Sequence, residues 1–364
     1  MNQQKKKIKN INQIVKKNIL NLIPYKSARL LYKNNINNKI MLNANESPII
    51  SLFSINNRIL NRYPEQQPKE LLNFYSKYIN LNNENILITR GADEGIDIIM
   101  RTFCNQEYDK ILFCPPTYDM YRVTAEILNI KYLMIFSIND NWKINFNEIK
   151  KNLKNIKIIY FCNPNNPTGN ILNKDNIIQL LELTKNKIII VIDEAYIEFC
   201  LNHTMIYLIN KYENLIILRT LSKAFGLAGL RCGFILTNKY IINILLKVIA
   251  PYPISIPVLD IAIQALSTKN LVIMNNNVKT IINNKKWLIK KLSNCSCIKK
   301  IFTSKTNFIL VKFYNSKIIF DILNENNIIV RNQNHEKILN NCLRITIGTF
   351  DECKKLFFTL QKIS

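Results

Sequence analysis

Long apolar runs are missing from this chain of 364 residues. The longest strictly apolar segments, such as residues 188–192, have five residues, whereas a helix that crosses a bilayer needs about 20. The amino terminus likewise has no uninterrupted hydrophobic segment of the kind that forms a signal peptide. These absences argue against a membrane anchor, and we expect a soluble, cytoplasmic protein without a membrane partner.

Histidine is equally scarce, with only His203 and His335 in the whole chain. Neither lies at a ligand spacing from Cys295 and Cys297, the one close pair among the nine cysteines, so the sequence predicts no metal site. Most other cysteines, such as Cys162, lie inside apolar runs of strand length. We therefore expect buried, reduced thiols, which are typical of a reducing compartment.

Acidic residues are half as numerous as basic ones: 25 Asp and Glu stand against 50 Lys and Arg, for a net charge of +25. Such a balance is typical of proteins that bind nucleic acid. However, the lysines are spread along the chain among abundant Asn and Ile, as in NNINNK (34–39) and IINNKK (281–286), and AT-rich coding would enrich these three residues together. We favour general basicity, with no nucleic-acid partner; a nucleic-acid surface is the alternative.

Apolar runs of strand length alternate with amphipathic helical patterns between residues 85 and 250. One helical pattern groups Ile96, Ile99 and Met100, and another follows a predicted cap at Asn173. The strand candidates are continuously apolar: NILIT (85–89), KILFC (110–114), IKIIYFC (156–162), KIIIVI (187–192), NLIILRT (214–220) and CGFIL (232–236). Such strands separated by helices predict an α/β fold with a mostly parallel sheet covered by helices on both faces.

The proline-rich stretch APYPISIP (250–257) interrupts this alternation and is the predicted domain boundary. Beyond it come a helical region (258–292) and three further strand candidates, NFILVKF (307–313), IIVRNQ (328–333) and CLRITIG (342–348). We therefore predict a large domain at 48–252 and a smaller α/β domain at 253–364, with residues 1–47 as an amino-terminal arm that packs against the smaller domain.

The chain has only seven glycines: Gly91, Gly95, Gly169, Gly226, Gly229, Gly233 and Gly348. Each lies near polar or charged residues, at the end of a predicted strand or the start of a predicted helix. Because glycine permits positive φ and close approach of the backbone to a ligand, this clustering predicts positions that no other residue could fill. Ordinary turns and helix ends explain some of these positions but not the whole coincidence.

Three polar segments follow predicted strands. FCNPNNPTGN (161–170) leaves a strand through a turn rich in proline, Asp193 ends the strand in IIIVIDEAY (188–196), and Lys223 follows a strand in RTLSKAFGLAGLRCG (219–233). In open parallel sheets, ligands bind beyond the carboxyl ends of the strands. We therefore expect the three segments to share one site.

These segments resemble the signature of fold-type I aminotransferases, which depend on pyridoxal 5'-phosphate. Further motifs are similar to those of the histidinol-phosphate aminotransferase family: NLIPYKSAR (21–29), LNANESP (42–48), NRYPE (61–65), RGADEG (90–95), CPPTYDMYRV (114–123) and CLRITIG (342–348). The motifs occur in order through nearly the whole chain. The resemblance implies a fold-type I homodimer that exchanges an amino group between glutamate and histidinol phosphate, with 2-oxoglutarate and imidazole-acetol phosphate as the keto partners, in histidine biosynthesis.

The resemblance also implies the roles of the side chains around the cofactor ring. Lys223 would bind pyridoxal 5'-phosphate as a Schiff base and then act as the general base. Asp193 would keep the pyridine nitrogen protonated, because a nearby carboxylate favours the charged ring. Tyr196 and Asn166 resemble the hydrogen-bond donors to the phenolic oxygen of the ring, and Tyr118 resembles the aromatic residue that stacks on its face.

The cofactor phosphate needs fixed donors. RGADEG opens a predicted helix, so the backbone N–H groups of Ala92 and Asp93 would form an anion site at its amino end. Ser222 and Arg231 resemble the side-chain partners of the phosphate in the family. Tyr63 resembles the residue that reaches this phosphate from the other subunit.

Substrate recognition would depend on arginine. Arg344 is similar to the family arginine that takes the glutamate carboxylate and the histidinol phosphate group in turn, and Arg331, Tyr25 and Asn166 resemble its helpers. Only ten of the 50 basic residues are arginines, and Arg90, like these two and Arg231, lies in a motif. This fits arginine being kept where its planar, two-pronged geometry is needed.

Simpler interpretations stay open at several positions. Tyr25 and Tyr63 could be packing aromatics, and Arg344 could be a strand-edge charge. Glu94 and Asp119 are expected to be solvated, and His203 and His335 match no catalytic spacing. For the whole protein, the alternatives are a threonine-phosphate decarboxylase, a broad aromatic or aspartate aminotransferase, and an inactive basic protein that binds nucleic acid.

Overall fold

The continuously apolar segments form one seven-stranded sheet in the computed structural model, which describes residues 14–24, 39–50, 52–55, 60–138, 141–334 and 336–363. Its strands are β2 (Ile86–Thr89), β3 (Lys110–Phe113), β4 (Lys131–Met134), β5 (Ile156–Cys162), β6 (Ile189–Asp193), β7 (Leu215–Thr220) and β8 (Gly233–Leu236). Their order is β2-β8-β7-β6-β5-β3-β4, and β8 alone runs antiparallel to its neighbours. The mostly parallel sheet predicted from the sequence is confirmed.

Apolar residues cover both faces of this sheet. Along β7, Ile217 belongs to the core cluster on one face, whereas Ile216 and Leu218 belong to the cluster on the other. Neighbouring residues of β6 divide between the clusters in the same way. This two-sided burial explains why the strands are apolar throughout instead of alternating in polarity.

Helices connect these strands and supply the two covering layers: α2 (Lys69–Ile79), α3 (Ala92–Phe103), α4 (Met120–Leu128), α5 (Phe146–Lys151), α6 (Lys174–Leu183) and α7 (Lys239–Leu245). The predicted cap of α6 is confirmed, because the Asn173 side chain accepts a hydrogen bond from the N–H of Asn176. At the start of α3, Gly91 has a φ of +83° and Asp93 and Glu94 lie in the first turn, where their charge complements the helix dipole.

The second sheet has five strands in the order β1-β11-β12-β10-β9. They are β1 (Ile40–Leu42), β9 (Ile298–Ile301), β10 (Phe308–Phe313), β11 (Ile328–Asn332) and β12 (Cys342–Thr346), with α10 (Ser316–Glu325) and α11 (Phe350–Gln361) beside them. Only the β1–β11 pair is parallel. Residues from both ends of the chain therefore build this sheet.

The amino-terminal arm divides between the two sheets. Strand β1 joins β11 in the smaller sheet. By contrast, the short helix α1 (Lys17–Leu20) lies against α4, where the Asn18 amide donates to the backbone oxygen of Glu126 at 3.0 Å. The arm thus does not pack only with the smaller sheet.

Residues 258–292, predicted as one helical region, form two helices, α8 (Ile256–Ala265) and α9 (Thr268–Leu292). Ser267 breaks the run by capping α9. No single helix of the described segments has the length and apolar content to cross a membrane, and α8 and α9 meet both criteria only as a pair bent by 72°.

Candidate active site

A cavity of about 240 Å³ opens at the carboxyl ends of β5, β6 and β7. Its walls contain most of the residues to which the sequence assigned a role: Ala92, Asp93, Tyr118, Asn166, Asp193, Tyr196, Ser222, Lys223, Arg231, Arg331 and Arg344. The three polar segments therefore meet at one place, as expected from the strand ends. The five-stranded sheet closes the cavity from the other side, since Arg331 lies on β11 and Arg344 on β12.

Asp193 is the last residue of β6 and is almost fully buried, at 2% exposure. Its carboxylate accepts hydrogen bonds from the Tyr121 hydroxyl at 3.0 Å and from the backbone N–H of Ala195 at 3.0 Å. Burial nevertheless raises the pKa of Asp193 to about 6, although these two hydrogen bonds act in the opposite direction. Both of these hydrogen-bond donors are neutral, so a positively charged group placed beside Asp193 would stabilise its ionised form.

Lys223 lies three residues beyond the end of β7. Its Nζ donates to the backbone oxygen of Ala44 at 3.1 Å and lies 5.6 Å from the centre of the Tyr196 ring. Burial lowers the pKa of Lys223 to about 8, and the positive charge of Arg344 contributes in the same direction. The unprotonated, nucleophilic form of this amine is therefore far more populated near neutral pH than that of an ordinary lysine.

Tyr196 follows β6 by three residues, and its hydroxyl accepts a hydrogen bond from the Asn45 side-chain amide at 3.0 Å. Burial raises the pKa of Tyr196 above the usual value for tyrosine. The phenol therefore stays protonated at physiological pH. It keeps a proton that it can donate to a ligand in the cavity.

The amino end of α3 forms a further part of the cavity wall. A Cβ at Gly91 would lie 2.9 Å from Nη2 of Arg231, so glycine allows the guanidinium to lie against this helix end. The same guanidinium lies 3.3 Å from the carboxylate of Asp93, which also accepts a hydrogen bond from the Tyr118 hydroxyl at 2.9 Å. Backbone N–H groups at a helix amino end and an arginine together make an anion site.

Two arginines face the cavity from the smaller sheet. Nη1 of Arg344 donates to Oδ1 of Asn166 at 2.6 Å and Nη2 donates to the backbone oxygen of Asn43 at 2.7 Å, so this guanidinium lies inside the site and is not a strand-edge charge. Within the described segments, Nη1 of Arg331 is buried and has no hydrogen-bond partner. A buried N–H without a partner is costly, which suits a position that receives an anion.

Among the described residues with a predicted role, Tyr63 does not line the cavity. Tyr63 is 79% exposed and stacks on Tyr252, with ring centres 4.3 Å apart and an angle of 10° between the planes. Tyr25 lies outside the described residues, as does His335. His203 does not line the cavity.

The expectation that Glu94 is solvated was wrong. Its side chain is only 9% exposed, and it binds the guanidinium and the backbone N–H of Arg90. Arg90 precedes α3 and pairs with Glu94 in the first turn of that helix, and it does not line the cavity. Asp119 is partly exposed and accepts hydrogen bonds from Arg122 at 2.8 Å.

All nine cysteines fall within the described residues, and none forms a disulfide. Seven are buried, as expected, whereas Cys104 and Cys297 are partly exposed. In the described part of the chain, no three His, Cys, Asp or Glu side chains converge in a way that could hold a metal ion.

Sequence reasoning missed two features of the site. The first is Tyr121 on α4, which is fully buried and donates a hydrogen bond to Asp193. It follows Tyr118 by three residues, and this spacing was the signal in the sequence that could have placed it near the site. The second is the backbone of residues 43–45, whose contacts reach across 301 residues of chain and leave no local signal.

Known proteins that are similar to this chain include aminotransferases. The family model for aminotransferases of class I and II matches residues 32–359. The histidinol-phosphate aminotransferase of Buchnera aphidicola subsp. Melaphis rhois is 51% identical over 98% of both chains. That of Blochmanniella floridana is also 51% identical, over 97% of this chain and 98% of its own.

A solved structure extends the likeness to the fold. The histidinol-phosphate aminotransferase from Sinorhizobium meliloti, solved in complex with pyridoxal-5'-phosphate, superposes with a TM-score of 0.84 over 96% of this chain and 97% of that one. At 19% identity this likeness speaks for the fold alone. The family match and the identities of about half the residues over nearly the full length show that the chain belongs to the histidinol-phosphate aminotransferase family, within the aminotransferases of class I and II.

Proposed function

We propose that this protein is a pyridoxal-phosphate-dependent aminotransferase of histidine biosynthesis. It transfers the amino group of glutamate to imidazole-acetol phosphate, which yields 2-oxoglutarate and histidinol phosphate. The observation that carries the proposal is that Lys223, Asp193 and two arginines line one cavity. An amine, a carboxylate and two sites for anions are what this reaction requires.

The charged groups that line the cavity match those of pyridoxal 5'-phosphate. Asp193 has a raised pKa because it is buried, and its hydrogen-bond partners among the described residues, Tyr121 and the N–H of Ala195, are neutral. A protonated pyridine nitrogen beside it would stabilise the ionised carboxylate, since opposite charges favour each other's charged forms. At the other end, Arg231 and the amino end of α3 suit the phosphate. Bound there, the cofactor supplies an electron sink for bond cleavage at Cα of the substrate.

We assign the proton transfer to Lys223. Its Nζ would take the proton from Cα of the amino donor and deliver it to the aldehyde carbon of the cofactor. A general base is most effective when its pKa lies near the working pH, and the pKa of Lys223 is lowered to about 8. Such a positioned base accelerates a reaction by roughly 10²- to 10⁴-fold.

Asp193 and the aromatic residues would hold the ring. Asp193 would keep the ring nitrogen positive, and Tyr196, with Asn166, would donate to the phenolic oxygen of the ring. Tyr118 lines the same cavity and would stack on the ring face. Because Tyr121 hydrogen bonds to Asp193 from a helix packed on the sheet, the carboxylate is held in place before any ligand arrives.

Substrate selection is proposed to rest on Arg344, with Arg331 beside it. A guanidinium can bind a carboxylate or a phosphate through two parallel hydrogen bonds, so one arginine can serve both glutamate and histidinol phosphate. The contact between Arg344 and Asn166 links this anion site to the ring. Tyr25 is proposed to assist Arg344 in binding the substrate.

We propose a homodimer in which Tyr63 of each subunit reaches the cofactor phosphate of the other. Its ring is 79% exposed and does not line the cavity of its own subunit.

The domain boundaries predicted from the sequence are proposed as well, because the strands between residues 86 and 236 form one sheet and those between 298 and 346 belong to the other. The absence of disulfides among the nine cysteines supports a cytoplasmic location.

The deciding experiment is an assay of the purified protein with histidinol phosphate and 2-oxoglutarate. We expect glutamate to form, and the absorption of the bound cofactor to change when histidinol phosphate is added alone. Release of CO₂ from threonine phosphate would indicate a decarboxylase instead. Faster reaction with aromatic amino acids or aspartate would indicate a broad aminotransferase, and salt-sensitive binding to nucleic acid without cofactor absorption would contradict the proposal.

Two inactive variants test the shared site. In this proposal each site uses Lys223 of one subunit and Tyr63 of the other. A dimer of one Tyr63→Ala subunit and one Lys223→Ala subunit therefore has one site in which both residues are intact and one site in which both are replaced. Random mixing should therefore restore about a quarter of the wild-type activity. If mixing restores nothing although mixed dimers form, Tyr63 does not serve the partner's site.

A further inference from the structure

Residues 43–45 contact three of the proposed active-site side chains in turn. The backbone oxygen of Asn43 accepts from Arg344, that of Ala44 accepts from Lys223, and the Asn45 side chain donates to the Tyr196 hydroxyl. The sequence singled out the motif LNANESP but gave none of these residues a task. This segment therefore joins side chains that belong to both sheets.

Asn45 is held on all sides. It is 1% exposed and has a φ of +54°, in the left-handed region that asparagine tolerates. Its backbone N–H donates to the hydroxyl of Thr346 at 3.0 Å, and that hydroxyl donates to Oδ1 of Asn45 at 3.1 Å. Its backbone oxygen accepts from the Asn307 amide at 3.0 Å.

These contacts fix which end of the Asn45 amide faces Tyr196. With Oδ1 towards Thr346, the buried Thr346 hydroxyl accepts from the Asn45 backbone and has an acceptor for its own proton. With the amide reversed, that proton would have no acceptor among the described residues, which is costly for a buried hydroxyl. The amide nitrogen is therefore the end that lies 3.0 Å from the Tyr196 hydroxyl. Because an amide nitrogen can only donate, the tyrosine oxygen must accept there, and its own proton is directed away from Asn45.

We propose that Asn45 is a positioning residue that aims the Tyr196 proton at the phenolic oxygen of the cofactor. The inference rests on the proposed function, because it requires the ring to lie where Lys223 and Asp193 meet. Asn45 does not touch the ring in this account; it acts through Tyr196. Thr346, two residues along β12 from Arg344, holds the amide in its orientation.

The test is a double-variant cycle read from the absorption of the bound cofactor as a function of pH. A hydrogen bond from Tyr196 makes the phenolic oxygen less basic, so losing it moves the midpoint of the absorption change to higher pH. We expect Tyr196→Phe to raise the midpoint by roughly one to two pH units, the value of one hydrogen bond to a charged oxygen. Asn45→Ala should raise it by a clear fraction of that amount in the wild-type background and by nothing in the Tyr196→Phe background.

The matched control is Asn129→Ala, since Asn129 also has a left-handed φ, of +57°, but is exposed at the end of α4. Its midpoint should equal that of the wild type. An equal shift by Asn45→Ala in both backgrounds, or no shift in the wild-type background, would overturn the proposal. In either case Asn45 would act only as a structural residue.

A second variant covers the case in which Asn45→Ala does not fold, which thermal unfolding of the apoprotein would reveal. Thr346→Val removes the hydroxyl that orients the Asn45 amide and leaves the amide itself in place. It should give a smaller upward shift, again absent when Tyr196 is phenylalanine; an equal shift in both backgrounds counts against the proposal. Because these readings need only a bound cofactor, they separate this inference from the substrate assay, whose failure would count against the proposed function alone.

Discussion

The two walls of the cavity are built in different ways. The cofactor wall (Asp193, Tyr196 and Lys223) comes from 31 consecutive positions at the ends of β6 and β7 in the larger sheet. The arginine wall (Arg331 and Arg344) comes from the smaller sheet and depends on contacts to residues 43–45 across 301 positions of the chain. Chemistry is thus proposed to rest on a locally encoded wall, and substrate choice on one assembled from distant segments.

Variants of the two walls should consequently differ in which kinetic constant they change. The cofactor wall acts on charge that develops during the reaction, so its loss should lower kcat. The arginine wall holds substrate anions before and during the reaction, so its loss should raise KM. The following predictions test this difference.

The largest effect is expected for Asp193→Asn. The substitution keeps the shape of the side chain but removes the charge that stabilises a protonated ring nitrogen. We expect kcat to fall by about 10²- to 10³-fold, the range seen when one preorganised electrostatic group is removed. Asp109→Asn is the matched control, because Asp109 is also a buried aspartate but does not line the cavity. A rise in KM with unchanged kcat would remove the distinction between the walls.

A smaller effect, on KM, is expected for Arg344→Lys. A lysine keeps the charge but loses the two-pronged geometry and the contacts to Asn166 and Asn43. We expect KM to rise about tenfold for both glutamate and histidinol phosphate, the equivalent of one charge-assisted hydrogen bond. Arg90→Lys, which changes an exposed arginine paired with Glu94, should leave both constants unchanged. A change confined to one substrate would show that the two anions do not share a site.

The last prediction concerns stability and not a kinetic constant. The pKa of Asp193 is raised to about 6 in the folded protein, against 3.8 without the fold. Between these values the folded apoprotein binds more protons than the unfolded chain, so this group lowers stability as pH rises through that window. The loss is about 3 kcal/mol at most.

Urea unfolding between these pH values would measure this loss. In Asp193→Asn the same rise in pH should cost less stability, whereas Arg344→Lys should behave like the wild type. Bound cofactor should reduce the loss in the wild type, because it places a positive charge beside Asp193. Equal pH dependence in the wild type and in Asp193→Asn would show that Asp193 is not the group responsible.

How far the sequence predicts the structure also differs between the walls. The strands of the larger sheet and the cofactor wall could be predicted because apolar runs and strand-end motifs are local. Strand β9 was missed because Lys299 and Lys300 interrupt its apolar pattern. Strand β4 was missed although residues 132–136 are all apolar. The contacts of Asn45 could not be predicted, since they exist only once β12 lies beside residues 43–45.

Tyr121 and Glu94 give the same lesson on a smaller scale. Both lie in motifs that the sequence analysis used, yet their partners, Asp193 and Arg90, were not foreseen. A motif marks where chemistry is located; the orientation of each side chain within it follows from packing.

Chemical mapping of the lysine that binds the cofactor tests the central claim most directly. Among the described residues, desolvation lowers the pKa of two lysines to about 8: Lys223 in the cavity and Lys285 on α9, which donates to the backbone oxygen of Ser304. After borohydride reduction of the cofactor-loaded protein and proteolysis, the account predicts the cofactor on the peptide that contains Lys223. A cofactor fixed to Lys285 or to another lysine, with Lys223 unmodified, would contradict it.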